Sequence, residues 1–124
     1  MNYYGLDSDK VGAVIELLLI RGEVEKLRQF SLQITDAINT MGQKIQQAGG
    51  KIVFYAADSI LYYGEVNEKI NLELLKIFYE RTKCTASIGI GKTTAEACLA
   101  LKISKANGGN RIIHFSASME NKNA

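Results

Sequence analysis

The chain has 124 residues, 47% apolar and 23% charged, with fifteen basic against thirteen acidic side chains and a net charge of +2. That length suits one domain, which can bury roughly two-thirds of its unfolded surface without disulfide or metal staples. The composition excludes a disordered acidic tail and a collagen-like repeat, and the small net charge gives no argument for duplex nucleic acid or a membrane surface.

The N-terminus, Met1-Asn2-Tyr3-Tyr4, has no signal-peptide plan. Tyr3 to Leu6 reads as a short strand running into Asp7-Ser8-Asp9. A helix is expected over 11–20; its apolar run is interrupted by Glu16 and is too short to span a bilayer. A second helix is expected over 23–48. There Val24, Leu27, Phe30, Ile34, Ala37, Ile38, Met41 and Ile45 recur at steps of three and four and form one stripe. Gly49-Gly50 stops it.

Residues 52–55 and 60–63 are β-prone and only Ala56-Ala57-Asp58-Ser59 separates them, which predicts a hairpin with one acid at its tip. Asn67 is placed to cap a helix over 68–82, and a strand follows over 85–90. Thr93-Thr94-Ala95-Glu96 reads as a capping box opening a helix that runs to 106. Asn107-Gly108-Gly109 then turns the chain into a last strand over 111–115, and 116–124 is a polar, flexible tail outside the 1–115 domain. Strands separated by helices, with one central hairpin, predict an α/β (α+β) fold: a ferredoxin-like or polymerase-palm sheet, mixed but mainly antiparallel, with helices packed on one face.

Cys84 and Cys98 have neither zinc nor thioredoxin spacing and read as free, packed thiols in a reducing cytoplasm. His114, the only histidine, reads as a strand residue without catalytic consequence. Gly89-Ile90-Gly91-Lys92-Thr93-Thr94 imitates a phosphate-binding P-loop, but Ala86 stands where the pattern needs its first glycine.

Only four aspartates occur. Asp36 falls on the polar side of the long helix; Asp7, Asp9 and Asp58 fall where strands end. If the first strand neighbours the hairpin, Asp7 and Asp58 meet at one edge of the sheet. Two adjacent carboxylates repel unless a cation lies between them, and Mg²⁺ binds through one or two carboxylates plus substrate phosphates. Ala56 and Ala57 are small enough to let a triphosphate approach the backbone. The plainer alternatives are an acid that shapes a turn and, for Asp9, a helix cap.

Asp7-Ser8-Asp9 after an aromatic strand, Ala-Ala-Asp-Ser in the hairpin, Ser87-Ile88-Gly89-Ile90-Gly91, and Lys105-Ala106-Asn107-Gly108-Gly109-Asn110-Arg111 together resemble the palm of GGDEF-type nucleotide cyclases. The small size is similar to their compact relatives, the minimal CRISPR polymerases, and the resemblance covers nearly the whole chain. It implies a nucleotidyltransferase that joins nucleoside triphosphates into a cyclic dinucleotide or short cyclic oligonucleotide and releases pyrophosphate. By resemblance Asp7 and Asp58 are the catalytic, metal-binding acids for Mg²⁺ or Mn²⁺. The Ser8 carbonyl is a further ligand, and Asp9 would supply a second acid if it turned inward. Amides near Asp9, Lys10 and Val11 would hold the phosphate tail, with Ala56, Ala57 and Ser59 bordering the nucleotide and Lys105 reaching its phosphates.

Two departures stand out. Ser59 replaces a hairpin acid, and Gly109 stands where many cyclases carry an arginine, so that contact is missing or supplied by Arg111 or Lys102. The guanine-reading positions have no obvious counterpart, which points to ATP. Cyclisation implies two palms facing each other in a homodimer. The product would be a messenger in bacterial anti-phage defence, read by a separate membrane effector, with neither membrane insertion nor stable nucleic-acid binding by this chain. Two alternatives are a degenerate palm that binds nucleotides without catalysis and an RNA-binding module using Tyr55, Tyr62 and Tyr63.

Overall fold

The computed structural model describes residues 1–122. Five strands and five helices follow one another as β1 (Asn2–Ser8), α1 (Val11–Ile20), α2 (Val24–Gln47), β2 (Lys51–Ala56), β3 (Ser59–Gly64), α3 (Glu68–Thr82), β4 (Ala86–Gly91), α4 (Thr94–Ala106), β5 (Ile112–His114) and α5 (Ala117–Lys122). The sheet order is β2-β3-β1-β4-β5. All pairings are antiparallel except β4 with β5, the two strands joined through α4. The expected mixed palm sheet is therefore present. Part of the expected tail, 117–122, is the short α5, while residues 123 and 124 lie outside the described residues.

Helix placement differs from the expectation of one covered face. Tyr4 and Tyr62 are cross-strand partners whose rings stack at 4.8 Å, and both are buried under α2 and α3. Tyr62 donates its hydroxyl hydrogen to Asn71 Oδ1 of α3 at 2.5 Å, and Tyr4 donates to the Val66 carbonyl at 2.9 Å. Along β1 and β4 the alternate positions face the other way, onto α4. A Cβ on Gly89 would lie 2.2 Å from the Leu101 nitrogen and 2.3 Å from the Ala97 carbonyl oxygen. Only a residue without a side chain lets α4 sit that close. A helix joining two parallel strands must cross one face, and here it crosses the face opposite α2 and α3. The burial of Tyr62, together with α4 over β1 and β4, removes the open aromatic face that an RNA-binding module would need.

The hairpin contains a bulge at Val53: Ile52 pairs with Tyr62, but Phe54 pairs with Leu61. The extra residue reverses the alternation, so Phe54 joins Leu61 and Gly5 on the α4 side. Helix ends follow their local chemistry. Asn67 Oδ1 accepts the Ile70 amide at 2.9 Å, and Thr93 Oγ1 accepts the Glu96 amide at 3.1 Å.

Candidate active site

β1 is the middle strand, and its C-terminal end gathers the candidate residues. Antiparallel register sets Asp7 opposite Ser59 on β3 and Ser87 on β4. One residue on, the Ser8 amide donates to the Asp58 carbonyl at 3.2 Å, which ties the strand to the hairpin turn. The acids thus meet at the end of the central strand, rather than at an edge of the sheet.

They also approach from opposite faces. Asp7 lies on the α4 side, where Lys105 Nζ of α4 reaches its Oδ2 at 2.9 Å. Lys105 also donates to the Ser8 carbonyl. Asp58 lies toward α1 and α2, and its Oδ2 accepts the Ser8 hydroxyl. A continuous chain therefore runs Asp7, Lys105, Ser8, Asp58. Burial pushes the Asp7 carboxyl above its usual 3.8; Lys105 opposes that shift, and the Asp58 charge adds to it. The two carboxylates therefore feel each other.

Asp9 has a different role from the expected metal ligand. It is almost fully buried, and its carboxylate accepts hydrogen bonds from the Thr85 hydroxyl at 2.6 Å, the Ser87 hydroxyl at 2.7 Å and the Asn110 amide at 2.9 Å. Its own amide donates to the Thr85 carbonyl at 3.0 Å, so that amide is not offered to a phosphate. Nor does it cap α1, whose N-cap is Lys10 without a side-chain cap. Asp9 braces β1, β4 and the turn before β5. The same brace explains Gly109: its φ is +72°, and a Cβ there would lie 2.5 Å from the Asp9 carboxylate. No arginine fits at this position. Arg111 folds back instead, its Nε donating to the Gly109 carbonyl at 3.0 Å.

Two hollows flank the acids. One, of about 310 Å³, is lined by Val11 and Gly12 of the first turn of α1, Ile34 and Thr35 of α2, and Ala57 and Asp58 of the hairpin. That first turn has no acidic residue, so its positive end is not neutralised locally. The other, of about 540 Å³, opens on the α4 side and reaches Asp7 and Ser59. Ala56 is exposed and pairs with Ser59.

Among the described residues, no three His, Cys, Asp or Glu side chains converge on one point. An all-protein metal cage is therefore not what these residues build. They do fit Mg²⁺ or Mn²⁺ in the sparser mode, two carboxylates and a carbonyl completed by substrate phosphates. The position between Asp7 and the Ser8 carbonyl already attracts a cation, since the Lys105 ammonium sits there.

The other singled-out residues fall elsewhere. Lys92 is exposed and its amide donates to Glu96 Oε1 at 2.8 Å, so the P-loop imitation ends in a carboxylate rather than a phosphate cradle. Asp36 pairs with Arg81 at 2.6 Å. Cys84 is buried as expected, but Cys98 is exposed and borders the larger hollow. Thr85 was not singled out from the sequence, and Ser87 and Asn110 entered only within the motifs of the resemblance, with no link to Asp9; the Thr-Ala-Ser alternation of 85–87 puts two hydroxyls on one face.

Among the solved structures that share the fold are three cyclase-type domains. A guanylyl cyclase superposes with a TM-score of 0.66 at 13% identity, over 99% of this chain and 77% of that one. The GGDEF domain of a Pseudomonas aeruginosa protein gives 0.61 at 12%, over 98% and 80%. The active GGEEF domain of a Vibrio cholerae diguanylate cyclase gives 0.60 at 12%, over 93% and 82%. No curated protein matches the chain. With a palm sheet in place and the family model matching residues 3–115, the chain belongs to the minimal CRISPR polymerase domain family.

Proposed function

We propose that the chain is a nucleotidyltransferase that condenses two nucleoside triphosphates, ATP by preference, and closes them into a cyclic dinucleotide or short cyclic oligonucleotide. The observation that carries this is the convergence of Asp7 and Asp58 on Ser8, with the Lys105 ammonium already drawn between the Asp7 carboxylate and the Ser8 carbonyl. A ribose hydroxyl oxygen of one nucleotide forms a bond to the α-phosphorus of the other. The bond to the leaving oxygen breaks, pyrophosphate departs with that electron pair, and the hydroxyl proton passes to solvent.

Asp7, Asp58 and the Ser8 carbonyl would hold Mg²⁺ or Mn²⁺. When bound, the metal lowers the pKa of the attacking hydroxyl and offsets charge on the phosphates. The amides opening α1, at Val11 and Gly12, face the phosphate tail, where a helix N-terminus favours negative charge. Lys105 neutralises Asp7 before substrate arrives and is within reach of a phosphate oxygen afterwards. Positioning and electrostatics then supply the catalysis, and no side-chain nucleophile is needed.

Ring closure needs each nucleotide to react at both ends, so a homodimer belongs to the same reading. So does a messenger role in defence, with a separate membrane effector as its reader. Among the described residues no helix is long and apolar enough to cross a membrane.

The test is incubation of the purified chain with ATP and Mg²⁺ or Mn²⁺, reading pyrophosphate and cyclic product by chromatography and mass spectrometry. The wild type is expected to yield both, and Asp58→Ala to lose at least 100-fold in product while melting within a few degrees of wild type. Nucleotide binding with no pyrophosphate from the wild type would establish the non-catalytic alternative. Near-normal synthesis by Asp58→Ala would refute the role given to the acids.

A further inference from the structure

α1 is apolar on both sides, and the fold uses only one of them. Val11, Val14, Ile15 and Leu18 pack against the core. Leu17, Leu19 and Ile20 fall outside that face and are 45%, 62% and 75% exposed, and Val24, which opens α2, is 74% exposed. A surface helix ordinarily turns charged or polar residues to water, yet the only charge within α1 is Glu16. The four exposed side chains leave roughly 450 Å² of apolar surface in water, as much as the largest patch on a typical monomer. Two such faces pressed together would hide roughly 900 Å², which is the apolar share of a standard protein–protein interface.

The charges beside this face choose the occupant. On α2, Lys26 pairs with Glu23 and Arg28 with Glu25. Glu16 and Arg21 have no ion partner among the described residues. In an isologous contact, residue i meets residue j of the partner and j meets i. An antiparallel pair of α1 helices that sets Leu17 against the partner's Ile20 also sets Glu16 against the partner's Arg21, twice over. The same register puts the small Ala13 opposite the exposed Val24.

We infer that the outer face of α1 docks a second copy of this chain, α1 against α1 about a two-fold axis. α1 has 10 residues and is therefore about 15 Å long. Its first turn lines the phosphate hollow through Val11 and Gly12, so the pairing sets the two hollows on either side of one axis. The interface rests on the homodimer of the proposed function and supplies the surface that brings its two palms together.

The test is sedimentation equilibrium of the full chain, with product formation followed in parallel. Wild type is expected at twice its mass of 13.7 kDa, with product per chain rising as protein concentration rises. Ile20→Glu, at an exposed position that leaves the core untouched, should weaken self-association at least tenfold while melting within a few degrees of wild type. Glu16→Arg and Arg21→Glu should each weaken it at least threefold. An equimolar mixture of those two variants should recover wild-type association, because every mixed contact then sets an arginine against a glutamate.

A wild type that stays monomeric while making product, or a dimer that Ile20→Glu and the charge reversals leave intact, overturns the α1 interface and leaves the condensation standing. A monomeric wild type that binds phosphatidylglycerol vesicles, with binding lost in Ile20→Glu, overturns it too, since the face then docks on lipid. Association that responds to the variants as expected, without pyrophosphate release by wild type, upholds the interface and refutes the condensation.

Discussion

Removing the Asp9 carboxylate separates a structural brace from a metal ligand. In Asp9→Ala, the Thr85 hydroxyl, the Ser87 hydroxyl and the Asn110 amide lose a common acceptor at 2.6, 2.7 and 2.9 Å. Hydrogen bonds to a charged partner contribute about 1.5–3 kcal/mol each, giving roughly 4.5–9 kcal/mol before relaxation. Two terms reduce it: the hydroxyls can rotate to other acceptors, and the variant no longer buries a carboxylate. About 4 kcal/mol of lost stability is the expected outcome, a large share of the ~5–15 kcal/mol typical of a domain. In urea, with a slope near 2 kcal/mol/M, the midpoint should fall by roughly 2 M without a change in slope. Were Asp9 a metal ligand instead, the metal-free protein would be little affected and Mn²⁺ binding would be lost. A stability loss under about 1 kcal/mol together with lost Mn²⁺ binding would refute the brace and restore the ligand.

Two further outcomes follow from the packing around β1. Burial raises the Asp7 carboxyl above 3.8, so its folded state holds the proton more readily than its unfolded state does. The associated stability is present below 3.8 and is lost as pH rises through the raised value. Melting curves of wild type and Asp7→Asn should therefore keep a constant separation at the acid end, with wild type losing ground as pH rises; a separation moving in favour of wild type would contradict this. Gly89→Ala should cost about 3 kcal/mol, at the upper end for overpacking, because its Cβ meets the α4 backbone rather than a side chain that can turn away. A melting temperature within a few degrees of wild type would show that α4 is not held where it is placed here.

Most of the element order was legible because it rests on local chemistry. The stripe from Val24 to Ile45 has a helical period; its part from Phe30 to Ile45 is buried along α2, while Val24 at its start is exposed. Asn67 and Thr93 act as caps where side-chain oxygens precede helical runs, and Asp58 lies in the two-residue turn of a hairpin. The meeting of Asp7 and Asp58 was expected from a first strand lying beside the hairpin, whereas Ser8 and Lys105 joined them only through the resemblance, since Lys105 is far from Asp7 in the chain and no period links them.

What the tertiary structure alone decided has one physical origin: which face of the sheet a residue points to depends on partners distant in sequence. The glycines at 5 and 89 are visible in the sequence, but that they admit α4 onto a second face is a property of the docked helix. Alternation alone sends Phe54 the same way as Ile52, and one extra residue at Val53, stable only against β3, sends it to the other face. Asp9 carries the same functional group as Asp7 two residues away. The Thr85 hydroxyl just before β4, the Ser87 hydroxyl within it and the Asn110 amide of the turn before β5 fix it as a brace, whereas the closest charged partner of Asp7 is Lys105. Residue type and local spacing determined the elements and the supply of acids, and long-range packing determined which of those acids face open space.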